Sequence, residues 1–187
     1  MAGRLIYLIG PSGSGKDSLL DAARSRLAER GCRIVRRVIT RSAEALGEAA
    51  QGVSAEQFVA MQAEGAFALS WQANGLSYGI PKEIGAWMAA GTDVLVNGSR
   101  AHLAQARERY PTLLVVLLSV DQTALRQRLL ARGRESVADI DARLARNARF
   151  TAQLLAGMGA GLLVLDNSGP LEHTVERLLR CLHPSGV

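Results

Sequence analysis

The sequence predicts an α/β fold, a parallel sheet covered by helices on both faces. Three observations carry this expectation. Near-continuous apolar runs of strand length alternate with helix-like segments from residue 5 to residue 182, the pattern of buried parallel strands joined by crossover helices. Hydrophobic residues make up 48% of the chain but aromatics only 4%, so the core is aliphatic. A glycine-rich loop stands between the first apolar run and the first helix-like run. At 187 residues the chain reads as a single domain, 1–187, long enough to bury about 70% of its unfolded surface.

The elements follow in order. Leu5-Ile6-Tyr7-Leu8-Ile9 reads as a buried strand. Residues 16–30 read as a helix stopped by Gly31. Residues 33–39 read as a second strand, and 40–53 as a loop of small and polar residues. Ser54 is placed to cap a short helix running to about Glu64. Residues 67–71 and 78–80 read as short strands around an Asn74-Gly75 turn. Pro81 suits the first turn of a helix ending near Gly91. Residues 93–96 and 112–120 are apolar strands. Asp121 caps a helix through Arg132, and Ser136, with Asp139 three residues on, opens another to about Ala156. Residues 161–165 form the last strand and 171–182 the last helix. Asp166-Asn167 between them reads as a turn. No internal repeat, low-complexity tract or linker interrupts the series.

The glycine-rich loop is Gly10-Pro11-Ser12-Gly13-Ser14-Gly15-Lys16-Asp17-Ser18. Its form is that of a phosphate-binding loop, G-x-x-x-x-G-K-[ST], in the strand-loop-helix setting that the motif requires. Glycines let successive backbone N–H groups point inward, where they and the start of the next helix surround phosphates. Lys16 adds a mobile point charge near the β- and γ-phosphates. Lysine is scarce: Lys16 and Lys82 are the only lysines among 22 Lys and Arg residues. One therefore stands where Arg would not serve. Asp17 replaces the usual Ser or Thr hydroxyl and offers Mg²⁺ a harder, charged oxygen. The expected ligands are ATP, on the N–H groups of residues 11–16 and Lys16, and Mg²⁺, on Asp17; a border to the adenine is the second reading of Asp166-Asn167, after the turn.

Charge and cysteine usage narrow the class. The formal net charge is +5 and the pI about 9.9, which suits polyanionic small molecules as well as nucleic acid. An Arg-rich, Lys-poor composition also follows from genomic base composition alone. Scarce aromatics argue against single-stranded nucleic acid. No run of 18 apolar residues is present, so no membrane span is expected. The amino end reads straight into a strand, without a signal-peptide pattern. Cys32 and Cys181 lack metal spacing and fit reduced thiols in a cytoplasm.

Further blocks along nearly the whole chain resemble the guanylate kinase branch of the nucleoside monophosphate kinases. Thr40-Arg41 with Gly47-Glu48 resembles its T-R…G-E segment, Asn74-Gly75-Leu76-Ser77-Tyr78-Gly79 its G-x-x-Y-G turn, and Arg132-Gly133-Arg134-Glu135 with Arg143-Leu144 its lid. The resemblance implies a P-loop kinase with an acceptor-binding insertion at about 36–90 and an Arg-rich lid at about 132–146. Departures point to a narrower family. Asp17 replaces the loop hydroxyl, Glu44 a second phosphate-binding Arg, Ile80 a base-contacting hydroxyl and Asn97 a strand-end Asp. With the blocks 68–76 and 94–102, the chain resembles ribose 1,5-bisphosphate phosphokinases of phosphonate degradation. These make 5-phosphoribosyl 1-diphosphate from ATP and ribose 1,5-bisphosphate.

What this resemblance implies for single residues is specific. Arg41 and Tyr78 match positions that bind the acceptor phosphate. Glu48 matches a base-reading carboxylate, which without a base is left for a ribose hydroxyl or for solvent. Asn97 and Arg100 stand at a strand end, where ligands gather in such sheets, and Arg100 is expected to meet the second phosphate. Asp17 and Asn97 together keep the usual charge, with carboxylate and neutral group exchanged. Seven arginines fall between residues 126 and 149 against Glu135, Asp139 and Asp141. Of these, Arg132 and Arg143 are expected to clamp the transferring group alongside Lys16. An acceptor phosphate is already ionised near neutrality, so no strong general base is needed. Two other readings are a guanylate kinase proper, against which Ile80, Glu44 and Asn97 count, and a non-catalytic binding module, against which Gly15-Lys16 and the lid count.

Overall fold

A computed structural model describes residues 1–41, 50–157 and 161–182. The main sheet has five strands: β1 (Leu5–Ile9), β2 (Cys32–Ile34), β7 (Asp93–Asn97), β8 (Leu114–Ser119) and β9 (Leu162–Asp166), in the order β2-β7-β1-β8-β9. All five residues of β1 are buried, as are Val94, Leu95 and Val96 of β7 and Val115, Val116, Leu117 and Leu118 of β8. Side chains alternate between faces along a strand, so burial of consecutive residues means that both faces are covered. The expected α/β architecture is present. No described helix is long and apolar enough to cross a membrane.

The chain divides into two compact units. One comprises Met1–Tyr7 and Arg24–Leu113. In it β2 pairs in parallel with β7, Cys32 opposite Asp93. Arg4 fastens the start of β1 to Asp93 with a two-armed bridge, Nε at 3.1 Å and Nη2 at 2.6 Å, while the Arg4 N–H donates to the other carboxylate oxygen at 2.7 Å. A second sheet, ordered β4-β3-β6-β5, is made by β3 (Val38–Ile39), β4 (Gln51–Gly52), β5 (Phe67–Ala73) and β6 (Leu76–Pro81). Its β5–β6 hairpin turns at Asn74 and Gly75, φ 51° and 74°, the two positive values that a type I′ turn needs. Helix α2 (Ala55–Ala63) opens on the expected cap: Ser54 Oγ accepts from the Gln57 N–H, and the Gln57 side chain accepts from the Ser54 N–H.

Three expectations are corrected in this unit. Residues 33–39 are two strands, not one: β2 belongs to the parallel sheet, and β3 joins β6 antiparallel, Ile39 opposite Tyr78. Pro81 does not open a helix; it ends β6 opposite Phe67, where its missing N–H costs little, and α3 (Ile84–Ala89) starts three residues later. A 3-10 turn at Arg100–His102 and helix α4 (Leu103–Arg109) stand where no helix was expected.

The other unit comprises Leu8–Ala23 and everything from Leu114 onward. β8 and β9 run parallel with Val115 opposite Leu162. Helix α1 (Lys16–Glu29) begins here. Asp121 caps α5 (Gln122–Arg132), one carboxylate oxygen accepting from the N–H groups of Thr123 and Ala124. Helix α6 (Val137–Gly157) packs on α5 through Leu125, Leu129, Ile140 and Leu144, apolar positions at the i, i+4 spacing of one helix face. Helix α7 (Leu171–Leu182) buries Val175, Leu178, Leu179 and Leu182.

Candidate active site

The glycine-rich loop joins β1 to α1 within the second unit. Gly13 and Gly15 have φ of 90° and 92°, values that side-chain-bearing residues rarely take. Gly10 is pinned too: a Cβ there would lie 2.8 Å from the Leu118 carbonyl oxygen and 3.0 Å from Ser14 Oγ. Lys16 Nζ donates to the Gly10 carbonyl at 2.8 Å and approaches that of Pro11 at 3.4 Å. The ammonium is thereby held over the loop. The Pro11 carbonyl accepts from the Ser14 N–H at 3.0 Å, which closes the turn. Asp17 and Ser18 are exposed in the first turn of α1. Among the described residues no group of three or more His, Cys, Asp or Glu could hold a metal by itself. A single Asp beside a phosphate cradle fits Mg²⁺, which keeps waters and takes one or two carboxylates plus substrate phosphates.

The outer side of this loop is gripped from the opposite end of the chain. Asn167 Nδ2 donates to the Ser14 carbonyl at 2.8 Å. Arg128 reaches the same oxygen with Nη1 at 3.4 Å and the Asn167 carbonyl with Nη2 at 2.7 Å. Thr174 Oγ1 lies 2.7 Å from Asn167 Oδ1. Asn167 and Thr174 are only 4% and 1% exposed.

The Arg-rich segment in this unit is a tight connector between α5 and α6. Gly133, φ 62°, ends α5 in the left-handed conformation, and Ser136 Oγ accepts from the Asp139 N–H at 3.2 Å. Arg132, Arg134 and Arg146 are exposed. Arg143 is partly buried and bridges Glu135 at 2.7 Å.

The first unit holds the other expected site residues. Tyr78 lies on β6, and the Trp71 ring on β5 stacks on it at 5.6 Å with 7° between planes. The Arg37 guanidinium lies 5.0 Å from the centre of the Tyr78 ring, a cation–π distance, and its Nη1 donates to the Asn97 carbonyl at 2.9 Å. Asn97 ends β7, buried. His102 continues the row, stacked on Trp71 at 6.2 Å, with Nδ1 3.3 Å from Ser99 Oγ. Arg100 is partly exposed in the turn between them. Arg41 follows β3, and its Nε is buried without a hydrogen-bond partner among the described residues. Ile80 is fully buried. Glu44, Gly47 and Glu48 lie outside the described residues. Below Ser99, the Tyr7 hydroxyl accepts from the Ser99 N–H at 3.0 Å and faces its carbonyl at 3.2 Å. Burial pushes the Tyr7 phenol up, partly offset by the Ser99 backbone and the Arg37 charge.

Known proteins resemble this chain over nearly its whole length. A protein of Pseudomonas fluorescens (strain SBW25) named ribose 1,5-bisphosphate phosphokinase PhnN is 86% identical over 182 residues, covering 97% of this chain and 96% of that protein. Proteins of the same name from Pseudomonas paraeruginosa and Azotobacter vinelandii are 66% and 60% identical over 182 residues. The chain belongs to the ribose 1,5-bisphosphate phosphokinase PhnN family. No family model matches it. Among solved structures, guanylate kinase from Anaplasma phagocytophilum superposes with a TM-score of 0.70 at 20% identity, covering 97% of this chain and 85% of that one. That likeness shows a guanylate-kinase-like fold.

Within this PhnN-family chain the loop and its first helix lie as the sequence suggested. Two features were missed. Arg37 sits in an unremarkable Arg36-Arg37 pair, and only its burial, 7% exposed, and its ring contact reveal it. Asn167 read as a turn residue, because its partner Ser14 is 153 positions away.

Proposed function

We propose that the chain transfers the γ-phosphoryl group of ATP to ribose 1,5-bisphosphate, giving 5-phospho-α-D-ribose 1-diphosphate and ADP. An oxygen of the acceptor's 1-phosphate forms the new bond to the γ-phosphorus. The bond from that phosphorus to the β,γ-bridging oxygen breaks, and ADP leaves with the electron pair. No proton has to be removed from an acceptor that is already ionised. Catalysis is then alignment and charge neutralisation.

The family resemblance supports the activity, and the loop supports the donor. Pro11 has no N–H and the Ser14 N–H closes the turn onto the Pro11 carbonyl, so the N–H groups of Ser12, Gly13, Gly15 and Lys16, with the Lys16 ammonium, bind the β- and γ-phosphates. Asp17 holds Mg²⁺, which when bound neutralises charge on the transferring group. Arg132 and Arg143 approach the phosphoryl group from the lid and exclude water; Arg143 exchanges its bridge to Glu135 for a phosphate oxygen. Arg41 and Tyr78 take one acceptor phosphate and Arg100 the other, while Asn97 and Glu48 position the sugar. Ile80, buried at the position where the guanylate kinase pattern has a base-contacting hydroxyl, favours a base-free acceptor. Substrates so highly charged stay in the cytoplasm, the compartment that also suits two free cysteines.

The single observation that carries this reading is the 86% identity to a protein of that name over nearly the whole chain. The test is a side-by-side assay of ADP release with Mg-ATP and either ribose 1,5-bisphosphate or GMP, with phosphorus NMR of the product. A new diphosphate on the sugar is expected. Turnover of GMP with none of the sugar bisphosphate would overturn it.

A further inference from the structure

The structure assigns Arg128, Asn167 and Thr174 as positioning residues that set the phosphate loop through the Ser14 carbonyl, which deepens the donor half of the proposed function and rests on it. A trans peptide is planar, so the Ser14 C=O and the Gly15 N–H point in opposite directions. Whatever holds the carbonyl outward aims the Gly15 N–H inward, among the phosphate-binding donors. The loop does not fix this plane by itself. Ser14 lies between two glycines with φ of 90° and 92°, the residues least resistant to a peptide flip. The hold comes from outside: Asn167 Nδ2 at 2.8 Å and Arg128 Nη1 at 3.4 Å.

The hold is built in two layers. The Ser14 carbonyl is only an acceptor, so the Asn167 amide must present its NH₂ there and its oxygen to Thr174. The Thr174 hydroxyl donates to that oxygen at 2.7 Å, nearer than the Asp166 carbonyl at 3.3 Å, and fixes the orientation. Arg128 closes the group by donating to the Asn167 carbonyl at 2.7 Å. Asn167 is also packed tight against the loop, since a Cβ on Gly15 would lie 2.7 Å from its Nδ2. Ser14 is fully buried, so water cannot replace the grip.

The test uses three variants of the whole chain. Asn167→Asp turns the donor into an acceptor facing an acceptor. Thr174→Val removes the orienting hydroxyl at constant shape, and Thr174→Ser restores it. Binding of Mg-ADP and of inorganic tripolyphosphate is measured by calorimetry, with thermal melting of each variant beside it. Asn167→Asp and Thr174→Val are expected to weaken both ligands by the same factor, at least about fivefold. Thr174→Ser is expected to stay within about twofold of the parent. KM for ATP rises while KM for the acceptor holds. Should Asn167→Asp not fold, the Thr174 pair decides alone. Unchanged binding in Thr174→Val overturns the assignment, and so does a Thr174→Ser variant as impaired as Thr174→Val. Loss of ADP binding with tripolyphosphate binding intact would overturn it too, making Asn167 a base contact instead. The calorimetric and melting readouts need no acceptor. If they come out as expected and ribose 1,5-bisphosphate is not phosphorylated, the activity fails and the grip stands.

Discussion

The Arg37 guanidinium lies 5.0 Å from the centre of the Tyr78 ring, and Arg37 as a whole is only 7% exposed. The same side chain donates to the Asn97 carbonyl at 2.9 Å. One buried cation thus ties the second sheet to the end of β7. Arg37→Ala is expected to destabilise the fold by about 1.5–3 kcal/mol, the worth of a charged hydrogen bond. Tyr78→Phe keeps the ring and is expected to leave stability within about 0.5 kcal/mol while raising KM for the acceptor. Urea unfolding and steady-state kinetics separate the two effects.

Lys16→Ala removes the ammonium held over the loop. The expected loss in kcat is about 10²–10³, the scale for removing one preorganised charge-stabilising donor. Lys16→Arg is expected to recover little, because a planar fork does not replace a compact point charge. A single-turnover assay reads both.

Asp17→Ala is expected to move the Mg²⁺ dependence of the rate to higher concentration. Asp17→Ser supplies the hydroxyl usual at this position and is expected to fall between the parent and the alanine variant. A Mg²⁺ titration at saturating ATP checks this. A rate and a Mg²⁺ curve equal to the parent's in Asp17→Ala would remove Asp17 from the metal site.

Gly98→Ala tests the packing below Ser99. A Cβ at residue 98 would come within 2.3–2.7 Å of three carbons of the Tyr7 ring. The ring is fully buried and its hydroxyl is bonded to Ser99, so it has nowhere to go. The expected cost is about 1–3 kcal/mol, read as a lower melting temperature.

Cys32 gives a prediction in pH. Burial first, then the Asp93 charge, pushes its thiol from an ordinary 9.0 up to about 12, with Arg4 pulling the other way. Folding therefore favours the protonated thiol. This contribution is whole below pH 9.0 and is lost as pH rises toward 12. Cys32→Ala is expected to flatten the alkaline stability curve across that window, measured by chemical denaturation at each pH. A thiol reagent at neutral pH is expected to label exposed Cys181 and spare buried Cys32.

Signals that act locally were legible in the sequence. The strand Leu5–Ile9, the loop after it, the Ser54 and Asp121 caps and the helix Leu171–Leu182 all stand where the sequence placed them. Each depends on residues within four positions of one another. Expectation and structure part where a distant partner decides. Residues 33–39 are uniformly strand-like, yet the chain changes sheets between Ile34 and Val38. Nothing local says that Ile39 will meet Tyr78. Pro81 suits a helix start and a strand end equally, and its opposition to Phe67 settles the matter. Helix α4 buries only Leu103 and Ala106, too few apolar residues to mark a face. In the candidate site, the motif located the glycine-rich loop but not the hydrogen bonds that Arg128 and Asn167 make to its Ser14 carbonyl, or that Thr174 makes to Asn167.

The hold of Gly10 on the Lys16 ammonium has a practical consequence for chemical footprinting. Lys82 is exposed and Lys16 is partly buried, and the chain has no other lysine side chain. An acylating reagent therefore meets two ε-amines of different accessibility, and mass spectrometry of two peptides reports on the cradle. Shielding of residue 16 by a nucleotide, with residue 82 as the internal standard, gives a readout of occupancy that needs no engineered label.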